Sequence, residues 1–241
     1  MPIIITFLPF ESTLVQSKMA YLSTEFFNFF KDLAPNNHKD WFDQNRKRYK
    51  NFVKDPFDQL VSEVIEKLHE IDSNINCESK DCVFRINRDI RFSKDKTVYK
   101  MNRSAIISRG GKKRKDIPGL YFEVDCEKVR IYGGAHAPNK DQLQQIREEI
   151  TMHPEMFNEL ILESDFVNTF GFIRGEKNTR IPKEFKLFGE SQPLIYNKQF
   201  YWFAEYPPET ALQENFTDLI AAHYSIMKPL TDFFIKPITN C

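Results

Sequence analysis

Apolar residues recur at helical spacing through the first third of the chain and at alternate positions through its middle. Ser23 is placed to cap a helix on which Phe26, Phe27, Phe30 and Leu33 share a face. Pro35 ends it, because the residue before a proline avoids helical geometry. After an Asn36-Asn37 turn, with Asn37 as the cap, a second helix carries Trp41, Phe42, Asn45 and Tyr49; Trp41, Asn45 and Tyr49 fall on one face. Asp55-Pro56 opens a third helix in cap-then-proline order, with a core stripe of Phe57, Leu60, Val61, Val64, Ile65 and Leu68.

Beyond Ile71 the period changes. Val83 to Arg88 alternates and, continued to Phe92, puts Phe84, Ile86, Ile90 and Phe92 on one face of a central strand with an exit loop. Ala105 to Ser108 is a second candidate strand, closed by Gly110-Gly111 and the basic tract Lys112 to Lys115. Leu120 to Asp125 and Lys128 to Gly133 read as a hairpin around Cys126-Glu127, although that turn has no Gly or Asn. Helices follow from Asn139 or Lys140 to Ile150 and around Glu155 to Glu163, then an irregular segment holding Gly171, Gly175, Pro182 and Gly189. Phe200 to Ala204 is a strand, and Pro207-Pro208-Glu209 announces a last helix through Leu212, Phe216, Leu219, Ile220 and Tyr224.

Helices, an antiparallel sheet and helices again predict a single α+β domain over residues 22–241, with no repeat or linker dividing it. Residues 1–21 stand apart, as an extension ahead of a natural start at Met19 or as an edge strand from Ile3 to Leu8. The apolar run Ile3 to Leu8 is too short to span a bilayer and lacks the basic residues that open a signal peptide. The expectation is a soluble, cytoplasmic protein with no membrane role.

The chain of 241 residues is 41% hydrophobic and 28% charged, enough for a core without staples. Its 23 Phe point to an aromatic interior, and its 8 Gly include no phosphate-loop or dinucleotide fingerprint. Net charge is zero but uneven: Arg85 to Lys115 holds twelve Lys/Arg against Asp89 and Asp95, so this segment carries +10 and the remainder −10. Such a segment either folds onto acidic partners within the protein or presents a positive surface to an anion. Cys77, Cys82, Cys126 and Cys241 form no CxxC pair and read as reduced thiols. His38, His69, His136, His153 and His223 are dispersed without HxxxH or HExxH spacing, so neither a metal nor a cofactor is expected.

One pattern stands out. Arg85-x-x-Arg88-Asp89-x-Arg91-Phe92 followed by Asp95-Lys96-x-x-Tyr99 resembles the signature of a bacterial family known only as domain of unknown function 2461. The resemblance takes in Asn36-Asn37 with Trp41-Phe42, Asn45 and Tyr49, then Gly133-Gly134 with Pro138, and Pro182-Lys183-x-Phe185, covering roughly residues 22 to 235. It implies a soluble protein of about this length with no assigned activity and no catalytic residues to carry over. Val98 stands where the family commonly has proline, and His136 where it usually has another residue, which argues against His136 as a shared catalytic group.

On the strand register, Arg88 falls among Phe84, Ile86, Ile90 and Phe92, and a guanidinium among apolar neighbours requires a partner. Two readings follow. In the first, Arg85, Arg88, Arg91 and Lys96 surround the phosphate or carboxylate of a small molecule, Tyr99 donates a hydrogen bond, Asp89 or Asp95 orients the cations, and Trp41 supplies a wall while Asn45 reads a polar group. In the second, Arg88 with Asp89 or Asp95 forms a purely structural network, and Trp41, Asn45 and Tyr49 are core. A nucleic-acid surface using the basic 85–115 segment is the alternative partner class, disfavoured by overall neutrality and the lack of a recognised module. Enzymatic activity is left open, since carboxylates among arginines suit ion pairing better than proton transfer. Oligomeric state is not legible.

Overall fold

Helix boundaries follow the apolar stripes closely, and the departures have local causes. The computed structural model describes residues 20–239 apart from Phe92 and Lys115, so the expected edge strand Ile3 to Leu8 lies outside the described residues. Helix α1 (Thr24–Leu33) buries Phe26, Phe27, Phe29, Phe30 and Leu33. Ser23 holds its N-cap position through the backbone, its carbonyl accepting the Phe26 amide at 3.0 Å, while its hydroxyl makes no cap bond. The cap of α2 (Lys39–Gln44) is His38 rather than Asn37: its Nδ1 accepts the Trp41 amide at 3.4 Å. The chain stays helical through α3 (Arg46–Tyr49) and a π-turn (Lys50–Lys54) into α4 (Asp55–Ile71), whose predicted stripe is wholly buried. A single turn, α5 (Ser79–Cys82), ends this half.

Four strands, β1 (Asn102–Ile107), β2 (Leu120–Asp125), β3 (Val129–Ala135) and β4 (Phe200–Tyr206), form one antiparallel sheet in the order β1-β2-β3-β4. The β2–β3 turn lacks Gly or Asn, yet Asp125 supplies what they would: its Oδ1 accepts the amides of Glu127 at 2.7 Å and Lys128 at 2.8 Å. Between β3 and β4 lie α6 (Lys140–Met152), α7 (Pro154–Leu162), α8 (Ser164–Phe170) and α9 (Phe188–Ser191). Asn139 and Gln142 complete a capping box on α6. Helix α8 falls where the pattern predicts irregular chain; Glu163 restarts the helix by accepting the Phe166 amide at 2.9 Å, and Phe166 then packs on Trp202. The last helix, α10 (Phe216–Thr239), runs well past Tyr224 and through Pro229 and Pro237, because Leu230, Phe233, Phe234, Ile235 and Ile238 are buried on the far side of the break.

Period-two alternation gives the sheet two unlike faces. Phe122, Val124, Val129, Ile131, Phe200 and Trp202 are fully buried, and α10 packs on β3 and on α4 and α6. Phe57–Phe122 and Phe200–Phe234 contacts, at 5.6 and 5.1 Å between ring centroids, join the helices to this face. The opposite face carries Tyr121, Glu123, Arg130, Tyr132, Tyr201 and Phe203, all half-buried. No described helix is long and apolar enough to cross a membrane.

Asp72, at the end of α4, ties this architecture together. Its carboxylate, 3% exposed, accepts from Arg109 Nη2 at 3.0 Å and from the Tyr224 hydroxyl at 3.2 Å, while Arg109 also reaches Asp232 at 3.0 Å. Burial alone would raise the Asp72 pKa, but hydrogen bonds from Asn74 and Arg109 outweigh it and hold it at about 2. Because the folded pKa lies below the unfolded one, this stabilisation, about 2 kcal/mol, is complete above pH ~4 and vanishes as pH falls through about 2. In urea unfolding across pH 5 to 2, the wild type is therefore expected to lose about 2 kcal/mol more than Asp72→Asn.

Candidate functional site

The Arg85–Tyr99 signature leaves the sheet as an irregular hairpin and forms no regular strand among its described residues. Val83 bridges Ala105 of β1, and the Phe84 amide bonds to Ser104 O at 3.0 Å. The chain then turns on itself, with Lys100 N to Ile86 O at 2.8 Å, Arg88 N to Val98 O at 2.9 Å and a bridge between Asn87 and Tyr99. Regular pairing ends there because side chains compete for the backbone: Asp95 Oδ1 accepts the Thr97 amide at 2.9 Å and Asp89 Oδ1 the Arg91 amide at 3.3 Å. The predicted central strand Val83 to Phe92 is thus a short arm at the edge of β1, with Phe92 outside the described residues.

Arg88 is paired with Asp95 and Thr97 and keeps 28% of its side chain exposed. Within the basic segment the buried guanidinium belongs instead to Arg103, on the core side of β1. Its Nη1 donates to Phe84 O at 2.8 Å, its Nη2 lies 3.6 Å from Asp58 in an ion pair, and the group sits 5.3 Å from the Phe57 ring centre. Periodicity overlooks it because Arg103 is flanked by polar Asn102 and Ser104, where no apolar register announces a core position.

The other candidates divide between pairs, core and cleft. Arg91 holds Asp89 through Nε at 2.9 Å and Nη2 at 2.6 Å, both exposed, and Lys96 caps Ile90 O at 3.1 Å. Arg85 is exposed. Hydrogen bonds from the Arg91 side chain, then its amide, lower the Asp89 pKa; the Thr97 amide, then Arg88, hold Asp95 at about 2. Tyr99 is buried and stacks on Phe42 at 4.0 Å, and burial raises its pKa. Asn37, freed from capping, grips its backbone on both sides, Oδ1 accepting Tyr99 N at 2.8 Å and Nδ2 donating to Tyr99 O at 3.0 Å. Trp41 packs on Phe29 at 5.6 Å, and Asn45 Nδ2 donates to Trp41 O at 3.0 Å across the end of α2. Arg88, Asp95 and Tyr99 line a shared cleft of about 570 Å³ with Lys100, Asn102, Tyr121 and Asp125, whereas Arg85, Asp89, Arg91, Lys96, Trp41 and Asn45 lie outside its walls.

A second cleft, about 590 Å³, lies on the outer sheet face and shares Tyr121 with the first. Phe84, Ile106, Tyr132, Tyr201 and Phe203 form its aromatic and apolar walls, with Glu123 and His136 as polar members. The rings run across the sheet as a ladder: Phe84–Tyr121 at 6.1 Å, Tyr121–Tyr132 at 5.6 Å and Tyr132–Phe203 at 5.1 Å. A cation stands at each end, Lys100 5.2 Å from the Phe84 ring centre and Arg174 4.4 Å from that of Phe203. Glu123 is held rigidly, accepting from Tyr121 Oη at 2.9 Å, Asn102 Nδ2 at 2.8 Å and Arg130 Nη1 at 2.6 Å. Burial would lower the Arg130 pKa, but Glu123 and Glu205 outweigh it and raise it. Gly134 lies at φ +120°, and a Cβ there would come within 2.1 Å of Phe200 O, so only glycine fits this part of the cleft floor.

The strands carrying this face are legible in the sequence; the cleft is not, since Leu120-x-Phe122 and Tyr121 offer apolar character on both parities. The usable signal is the company the aromatics keep: Tyr121 with Glu123 and Tyr132 with Arg130 mark the parity that meets water. Among the described residues no group of three or more His, Cys, Asp or Glu could hold a metal ion. Arg103→Ala is expected to lower the unfolding free energy by about 3 kcal/mol in urea, as for a broken buried ion pair, while Arg88→Ala leaves the midpoint nearly unchanged. A family model described as "Conserved hypothetical protein (DUF2461)" matches residues 25–233. No curated protein matches the chain.

Proposed function

The chain belongs to the DUF2461 family, and on the geometry of its sheet face we propose that it binds a small ring-bearing molecule with an anionic group. The observation that carries this reading is the meeting of two clefts at Tyr121, one aromatic and one containing Arg88 of the signature arm and Lys100 just after it. The aromatic cleft has the size and apolar lining of a small-molecule pocket, and the rigidly held Glu123 offers a fixed polar edge beside it. In this reading the ring lies against Tyr121, Tyr132 and Phe203, and its phosphate or carboxylate reaches Arg88.

Asp95 occupies the place such an anion would take. It is bound to one guanidinium nitrogen of Arg88, and a carboxylate or phosphate can displace it with bidentate geometry. Asp95 and Asp89 are both held in the ionised form, which favours binding over proton transfer as the role of the arm. Nucleic acid finds less support: Glu123, Asp125 and Glu205 share the aromatic face, and Arg103 and Arg109 of the basic segment are committed to Phe84 O, Asp72 and Asp232.

A thermal-shift panel of aromatic carboxylates, aromatic phosphates and their neutral analogues tests the reading. At a hundred times its Kd, a matching anion should raise Tm by about 5 °C or more. Tyr132→Ala should abolish the shift, Arg88→Ala should erase the preference for anionic over neutral analogues, and Asp95→Asn should tighten binding by removing the competing carboxylate. No shift from any panel member, or equal shifts in wild type and Tyr132→Ala, would overturn it.

A further inference from the structure

Cys77 and Cys82 lie beneath the root of the signature arm and take no part in the clefts described above. Both are free thiols, and their Sγ atoms are 3.2 Å apart. A disulfide requires about 2.05 Å, so a local shift of about 1 Å joins them. The pair is also asymmetric. Cys82 is fully buried on α5, while Cys77 is half-buried in the segment leading to it. The Cys82 thiol donates to the Cys77 sulfur, the arrangement that stabilises a thiolate at the more accessible position.

We propose that Cys77 and Cys82 form a two-cysteine redox site, in which Cys77 reacts with a hydroperoxide and Cys82 resolves the product as a disulfide. The Cys77 thiolate attacks one peroxide oxygen; an S–O bond forms, the O–O bond breaks, and the leaving alkoxide, or hydroxide in the case of hydrogen peroxide, takes up the proton that Cys77 released and becomes an alcohol or water. The Cys82 sulfur then attacks the sulfenic sulfur of Cys77. The S–S bond forms as the S–O bond breaks, and hydroxide leaves with the Cys82 proton as water. One peroxide is reduced by two electrons and two thiols are oxidised, with no further reactant.

Two features support this division of labour. The hydrogen bond from Cys82 outweighs burial and lowers the Cys77 pKa, whereas that bond and then burial push Cys82 up. Cys126, the remaining described thiol, is raised by burial and bonded to Phe27 O at 3.5 Å, so it is the poorer nucleophile. The site also touches the arm. Val83, next to Cys82, bridges Ala105, and the carbonyls of Lys80 and Val83 both accept from Lys112 Nζ, the latter at 3.1 Å. A Cys77–Cys82 bridge would therefore tether the turn from which Phe84 enters the aromatic cleft.

The test uses the full chain and hydrogen peroxide and needs no ligand, so it stands or falls separately from the binding proposal. After a short exposure and quenching, thiol titration under denaturing conditions should fall from four groups to two, and the intact mass should drop by two hydrogens. Peptide mapping should show Cys77 joined to Cys82, with Cys126 still reduced. Cys82→Ser, which retains a donor to Cys77, should stop at a sulfenic acid trapped by dimedone; Cys77→Ser should lose fast peroxide reactivity by tenfold or more. The proposal is overturned if Cys77 and Cys82 in the wild type remain thiols when Cys126 oxidises, or if they pass to sulfonic acid without bridging. Because the mapping is done on the wild type, neither outcome depends on a variant folding.

Discussion

The buried guanidinium of Arg103 is the constraint from which the placement of the arm and of the outer cleft follows. A charge on the core side of β1 must be compensated, and its neighbours come from two separate elements: the Phe84 carbonyl at the root of the arm, and Asp58 with the Phe57 ring on α4. Meeting that requirement brings helix, strand and arm together in one arrangement. It also delivers Phe84 to the outer cleft, since the carbonyl bound by Arg103 and the ring in the pocket wall belong to one residue.

From that anchor the arm is held at its far end by Asn37, whose side-chain amide pairs with both backbone groups of Tyr99 while the Tyr99 ring stacks on Phe42. Between these fixed points the tip is tied mainly by local bonds of Asp89, Asp95 and Lys96. A rigid base with a locally held tip is what the proposed exchange of Asp95 for a bound anion at Arg88 requires. The dithiol under the base acts on the same segment from the opposite direction, through the backbone next to Phe84.

The sheet divides the remaining labour. Its inner face is sealed by α4 and α10, so the outer face can carry aromatic rings at half burial without exposing the core. Glu123 and Arg130 help to order that face, pairing at 2.6 Å between the ring-bearing positions, and Arg130 continues to Glu205 at 3.0 Å. The Asp72–Arg109–Asp232 cluster has the matching role at the other end, joining the end of α4 and the chain after β1 to α10.

Local pattern alone determines much of this protein. The Phe stripe of α1, the core stripe of α4, the Asn139 cap of α6, the β2–β3 hairpin and β4 are each written within a dozen residues, because helix and strand periodicity is a property of neighbours. The importance of Arg85 to Tyr99 is equally visible as charge density. Tertiary structure decided the rest. It placed the buried charge at Arg103 instead of Arg88, drew Asn37 away from its helix to Tyr99, and carried α10 through Pro229 by burying the apolar residues beyond it. It also turned an alternating segment into an arm whose Asx bonds outcompete a ladder, and it exposed one face of an aromatic sheet. The partners of Arg103 and Asn37 lie 19 and 62 residues away, and no local period encodes which of two apolar parities, or which of twelve cations, such distant partners will meet.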